Sequence, residues 1–150
     1  MVILNQTDKR WAGTMLGQSN ASVGRYGCVV TSLAMLSSWY GKYRTPKWIA
    51  ENLRFTPQGL LYWKSMDGKL PMKFVYRYYR RDDVKIKSIL ASMDNACILE
   101  VPFGTGKHWV ALVGYSRIYG YRVADPLHGD IVYLNKRYKA ITGFTEVTRG

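Results

Sequence analysis

Two hydrophobic periods divide the chain. In "CVVTSLAMLSSWY", residues 28–40, Val29, Leu33, Leu36 and Tyr40 fall at helical spacing, with Val30 and Ala34 beside them, and Gly41 ends the run. A stripe that wide belongs to a central, mostly buried helix. "TPKWIAENL" predicts a second helix, with Thr45 as N-cap and Pro46 at the first helical position. "TPQGLLYWKSM" reads as a shorter copy of the same start, stopped by Asp67-Gly68.

The back half changes period. "KFVYRYY" is an aromatic-rich strand, and "DDVKIKSILASMDN" is a helix capped by Asp82 or Asp83, with Val84, Ile86, Ile89, Leu90 and Met93 as its apolar side. "ACILEVPF", "HWVALVGYS", "YGYRVADP" and "GDIVYL" follow as short Val/Ile/Tyr-rich runs between Gly, Pro and Asp turns, the mark of an antiparallel meander; "FTEVT" closes the sheet. Helices first and strands later predict an α+β fold, an N-terminal helical part packed on a C-terminal antiparallel sheet. With no internal repeat, low-complexity tract or linker, residues 1–150 read as one domain.

Hydrophobic residues make up 47% and charged ones 21%, a globular and not a disordered composition. No apolar stretch approaches the roughly 20 residues of a membrane span. "MVILNQTDKRW" turns polar after four residues, too soon for a signal-peptide core. The expectation is a soluble protein without a secretion signal, cytoplasmic or, if phage-encoded, associated with the host cell or virion. The net charge of +12 calls for an anionic partner: nucleic acid, a lipid surface or a bacterial wall polymer. Charge alone does not choose among them.

Two cysteines, Cys28 and Cys97, do not make a disulfide framework, and two histidines without a CxxC do not make a zinc site. Their setting is more informative. Cys28 follows Gly27 where a loop becomes a helix, and a first helical turn aims unpaired N–H groups and partial positive charge at what lies there. A nucleophilic cysteine also needs a base. His108 starts the strand "HWVALVGYS" just after the glycine-rich "GTGK", and Asp125 ends the next strand. If residues 108–115 and 119–125 pair as a hairpin, His108 and Asp125 lie near the same end of neighbouring strands. That is the nucleophile, base and orienter of a catalytic triad.

Gly-Cys opening a long helix, His starting a hydrophobic strand that runs to Gly-Tyr, and Asp-Pro after one more strand together resemble the papain-like cysteine peptidase superfamily. More narrowly they resemble the bacteriocin-processing, double-glycine leader peptidases and their stand-alone relatives, from "NQTDKRWA" to about "DPLHGD". The resemblance implies Cys28 as nucleophile, His108 as general base and acid, and Asp125 as the residue holding the imidazole. It also implies a glutamine oxyanion donor. The position six residues before Cys28 is Ser22, so the role passes to Gln6 in "NQTDKRW", which resembles a Gln-x-Asp-x-x-Trp element of stand-alone relatives. The backbone N–H of Cys28 would be the second donor. No cofactor is required.

The bland readings decide the other residues. Cys97, inside "ACILEV", reads as core, and His128 in the turn "DPLHGD" as exposed and idle. Tyr76, Tyr78 and Tyr79 alternating with Arg77, then Arg80 and Arg81, could stack nucleic-acid bases. No nucleic-acid motif accompanies them, so half-buried tyrosines and solvated arginines are preferred. The reading is therefore a cysteine peptidase on peptide or peptidoglycan substrates, of the kind a phage endolysin supplies. An inactive papain-like binding or inhibitory module and a basic nucleic-acid-binding domain are the alternatives.

Overall fold

The computed structural model describes residues 1–150. In chain order it holds α1 (Val23–Tyr26), α2 (Cys28–Trp39), α3 (Pro46–Asn52), β1 (Met72–Tyr78), α4 (Asp83–Ala91), β2 (Asn95–Phe103), β3 (Gly106–Ser116), β4 (Gly120–Asp125), β5 (Asp130–Tyr133) and β6 (Gly143–Arg149). The strands form one six-stranded sheet in the order β1-β6-β2-β3-β4-β5, and every neighbouring pair is antiparallel. The helices-then-strands reading is thus correct.

Alternation along the strands sorts the core onto two faces. On one face Ile98, Trp109, Ala111, Ala124 and Val147 pack with Val30, Leu33 and Ala34 of α2. On the other, Leu99, Val110, Leu112 and Val123 pack with Ile86 and Ile89 of α4. Burying Leu33, Leu36 or Ile98 fully is worth about 1.5–3 kcal/mol each. No helix is long and apolar enough to cross a membrane.

The start of α2 has a steric cause. Gly27 ends α1 and begins α2, and its N–H donates to the Val23 carbonyl at 2.8 Å. A Cβ on residue 27 would collide with that carbonyl oxygen and with the Val23 side chain. Only glycine lets the two helices meet at so tight a corner, and the corner delivers Cys28 at the first turn of α2.

Two segments differ from the sequence reading. "TPQGLLYWKSM" is not a helix. Gly59, at φ 88°, makes a turn, Phe55 and Leu61 bridge across it, and only Trp63–Met66 coil as a 3₁₀ turn. The apolar side of α4 is also narrower than the pattern implies. Ile86 and Ile89 are buried, whereas Val84 points outward from the first turn, and Met93 lies past the helix end; both are almost fully exposed.

Candidate active site

Cys28, His108, Gln6 and Leu127 line one cleft of about 750 Å³ between the helical part and the end of the sheet. Cys28 comes from the first residue of α2 and is partly exposed. His108 and Asp125 come from neighbouring strands, β3 and β4, and have the parity of Val110 and Val123, which face the α4 side. Their side chains meet with His108 Nε2 2.9 Å from Asp125 Oδ1, 4% and 0% exposed. With Nε2 taken by the carboxylate, Nδ1 is the ring nitrogen left for Cys28.

Burial disfavours an imidazolium at His108. The hydrogen bond to Asp125 outweighs it, with Cys28 adding to the pull, and proton affinity is pushed up to about 9. At neutral pH the ring is therefore positively charged beside the sulfur. Burial likewise penalises a charged Asp125, yet its hydrogen bonds with His108, Tyr138 and the Leu127 N–H hold the carboxyl well below the usual range.

The sequence reading misses most of what holds Asp125. The Tyr138 hydroxyl donates to Oδ2, Arg137 donates to Oδ2 at 3.0 Å, and the Leu127 N–H donates to Oδ1 at 2.9 Å. Arg137 simultaneously grips Asp130 through two bonds of 2.8 and 2.9 Å. His128, expected to be idle, is half exposed but lies with Nδ1 3.4 Å from Asp125 Oδ2. Nothing in "NKRYK" marks Arg137 and Tyr138, because the stretch has no period and reads as generic surface charge. Burial and Asp125 push the Tyr138 hydroxyl up, so it stays a donor throughout the working range.

Gln6 is held from two directions. Its backbone N–H donates to the Pro126 carbonyl at 2.7 Å, next to Asp125, and its Nε2 donates to the Gly24 carbonyl at 3.2 Å, in α1. One amide hydrogen is thereby committed, and the second is free. Oε1 is buried without a partner, a costly state for an amide unless a ligand meets it. Trp11, from the same element, is 3% exposed, and its Nε1–H donates to the Asn5 carbonyl at 2.8 Å, folding the loop that carries Gln6. Ser22, the alternative by offset, instead caps α1 by accepting from the Arg25 N–H.

Across the cleft Trp63 and Trp109 pack edge to face, with ring centres 5.6 Å apart. Beside them Arg77 is not solvated, as the strand pattern implies. Its guanidinium donates to Glu100 Oε2 at 2.8 Å and lies 4.1 Å over Tyr79 and 4.7 Å over Trp109. Thr142 Oγ1 donates to the other carboxylate oxygen at 2.7 Å. The partner is 23 residues away and invisible to local pattern. Cys97, by contrast, is fully buried, where burial and then Glu146 push its thiol well up.

A family model described as the Peptidase_C39 like family matches residues 3–146, which takes in every residue of this cleft. No curated protein and no solved structure matches the chain.

Proposed function

The chain belongs to the Peptidase_C39 like family, a membership that makes cysteine-peptidase chemistry its class, and we propose that Cys28, His108 and Asp125 carry that chemistry on bacterial wall peptides. The observation that carries the reading is His108, bonded to the buried Asp125 at 2.9 Å, lining one cleft with a cysteine at a helix N-terminus.

In this mechanism the sulfur of Cys28, as thiolate against the His108 imidazolium, attacks a peptide carbonyl. The first-turn N–H groups of α2 and the free Nε2 hydrogen of Gln6 receive the oxyanion, each such donor being worth about 10²–10³ in rate. His108 gives its proton to the leaving amine as the C–N bond breaks and a thioester forms. Water then gives a proton to His108 as its oxygen attacks the thioester, and the C–S bond breaks to release the acid product and the Cys28 thiolate, restoring the thiolate–imidazolium pair. Asp125 fixes the ring with Nε2 toward itself and Nδ1 toward the sulfur.

The wall as target rests on charge. Lys and Arg number 22 against 10 Asp and Glu, and Lys64, Lys69, Lys73, Arg80 and Lys87 fall in one stretch without a carboxylate at ion-pair distance, whereas Arg77, Arg81 and Lys85 in the same stretch are paired with Glu100, Asp83 and Glu146. A basic enzyme gathers on anionic envelope polymers, as a phage endolysin must. The test is digestion of purified peptidoglycan by wild type and Cys28→Ala, with mass analysis of released fragments. Peptide fragments from wild type alone are expected. Release by both proteins would remove the cysteine mechanism, and release by neither, with protein substrates cut, would remove the wall.

A further inference from the structure

The charges of the cleft do not cancel. Its lining holds one carboxylate, Glu100, and that carboxylate is already engaged by Arg77 and Thr142. Besides His108, three cations line it: Arg25, Arg77 and Lys107. With Arg77 and Glu100 neutralising one another, Arg25 and Lys107 remain, and neither has a carboxylate within ion-pair distance. They come from two different elements of the cleft, each close in sequence to a residue of the proposed machinery. Arg25 sits on α1, three residues before Cys28, and Lys107 directly precedes His108 on β3.

Both cations are presented by fixed backbone. The N–H of Arg25 is held by the α1 cap, Ser22 Oγ, and its guanidinium lies 5.5 Å over the Tyr26 ring. Lys107 pairs with Pro102 in the ladder of the β2–β3 hairpin, one residue from the turn. Much of the remaining lining is apolar, including Leu16, Phe55, Leu61, Trp63 and Trp109. A chain threaded through such a cleft meets positive charge that no carboxylate of the lining balances.

We propose that Arg25 and Lys107 form a carboxylate-selecting subsite, so that the cleft takes peptides with an acidic group in the residues next to the scissile amide. This rests on the peptidase reading for the cleavage step but not for binding. Each exposed ion pair contributes little, and two acting together give about a tenfold preference for acid over amide at low salt. Screening removes most of it by about 0.5 M salt.

Two measurements test it. In the first, Cys28→Ala protein is titrated, by Trp fluorescence, with a synthetic hexapeptide set in which Glu or Gln is moved through each position. Glu peptides are expected to bind about tenfold tighter at one or two positions, and Arg25→Gln/Lys107→Gln in the same background erases the ratio. In the second, wild type is given a peptide library from a digested proteome and the cut sites are read by mass spectrometry. Asp and Glu are expected to be enriched beside the cut, and the double variant loses the enrichment. Equal binding of Glu and Gln peptides, or a preference that survives in the double variant, overturns the subsite. Charge-selective binding with no cleavage of the library or of purified peptidoglycan would leave the subsite standing and bring down the peptidase reading instead.

Discussion

Arg137 and Asp125 are 3.0 Å apart, and Arg137 reaches Asp130 with the same guanidinium. A carboxylate with no exposure at all has its counter-charge delivered from the segment between β5 and β6. Asp125, which holds the His108 ring, is thus itself held by Arg137 and by the Tyr138 hydroxyl.

Removing those supports should show in the pH profile and not only in the amplitude. Tyr138→Phe withdraws one donor from a charged acceptor, costing about 1.5–3 kcal/mol of stability. Asp125 then gives more of its charge to His108, and the imidazolium holds its proton to higher pH. The alkaline limb of kcat/KM should move upward in Tyr138→Phe and further in Arg137→Gln. Loss of rate with an unmoved limb would mean the two residues act on packing alone.

The same pair makes stability depend on pH. The proton affinity of His108 rises on folding, from the usual 6.5 to about 9. Its contribution is fully present below pH 6.5 and is lost as pH climbs through about 9, on the order of 3 kcal/mol. Asp125 is depressed on folding, so its contribution is present above about pH 4 and lost as pH falls below that. Urea midpoints should therefore fall between pH 6.5 and 9 in wild type and stay nearly flat there in His108→Gln. An equal fall in that variant would assign the slope to other groups.

The two thiols should separate cleanly. Iodoacetamide at limiting dose should label Cys28, which lines the cleft, and leave Cys97 untouched until the protein is unfolded in urea. Peptide mapping of the adduct reads the result. Labelling of Cys97 in the native protein would contradict its burial.

Asp125→Asn should lower kcat by about 10²–10⁴-fold with the fold intact, because an amide can donate to Nε2 and set the wrong tautomer. Gln6→Ala should cost about 10²-fold in kcat with little change in KM, the pattern of a donor used only when the oxyanion forms. Circular dichroism distinguishes both outcomes from unfolding. Full activity in Gln6→Ala would pass the oxyanion to backbone groups alone.

What the sequence discloses is what local chemistry encodes. Cys28 is visible because Gly27 precedes it at a loop-to-helix junction, and His108 because it opens a strand whose periodicity is plain. Arg137 and Tyr138 are invisible for the opposite reason: their meaning lies in a carboxylate 12 and 13 residues back, reached only once β4 and β5 have turned around it. Arg77 is misread as solvated because Glu100 sits on a different strand, brought near by β6 lying between them. The stretch before β1 is misread because Thr-Pro resembles a helix start, whereas Gly59 commits the chain to a turn.

The sheet order also has a timetable. β6 lies between β1 and β2, so residues 72–78 have no neighbour in the sheet until residues 143–149 have been synthesised. Long-range closures of this kind are slow, since the loop must be ordered before any contact rewards it. Arg137 and Tyr138 also arrive late, 109 and 110 residues after Cys28 by position. A nascent chain thus carries its thiol long before it owns a finished cleft, and under the proposed mechanism the order of translation itself postpones the onset of hydrolysis. Ribosome-arrested chains ending before residue 143 are expected to be open to protease at β1, and protection there would mean the strand finds a partner earlier than its final one.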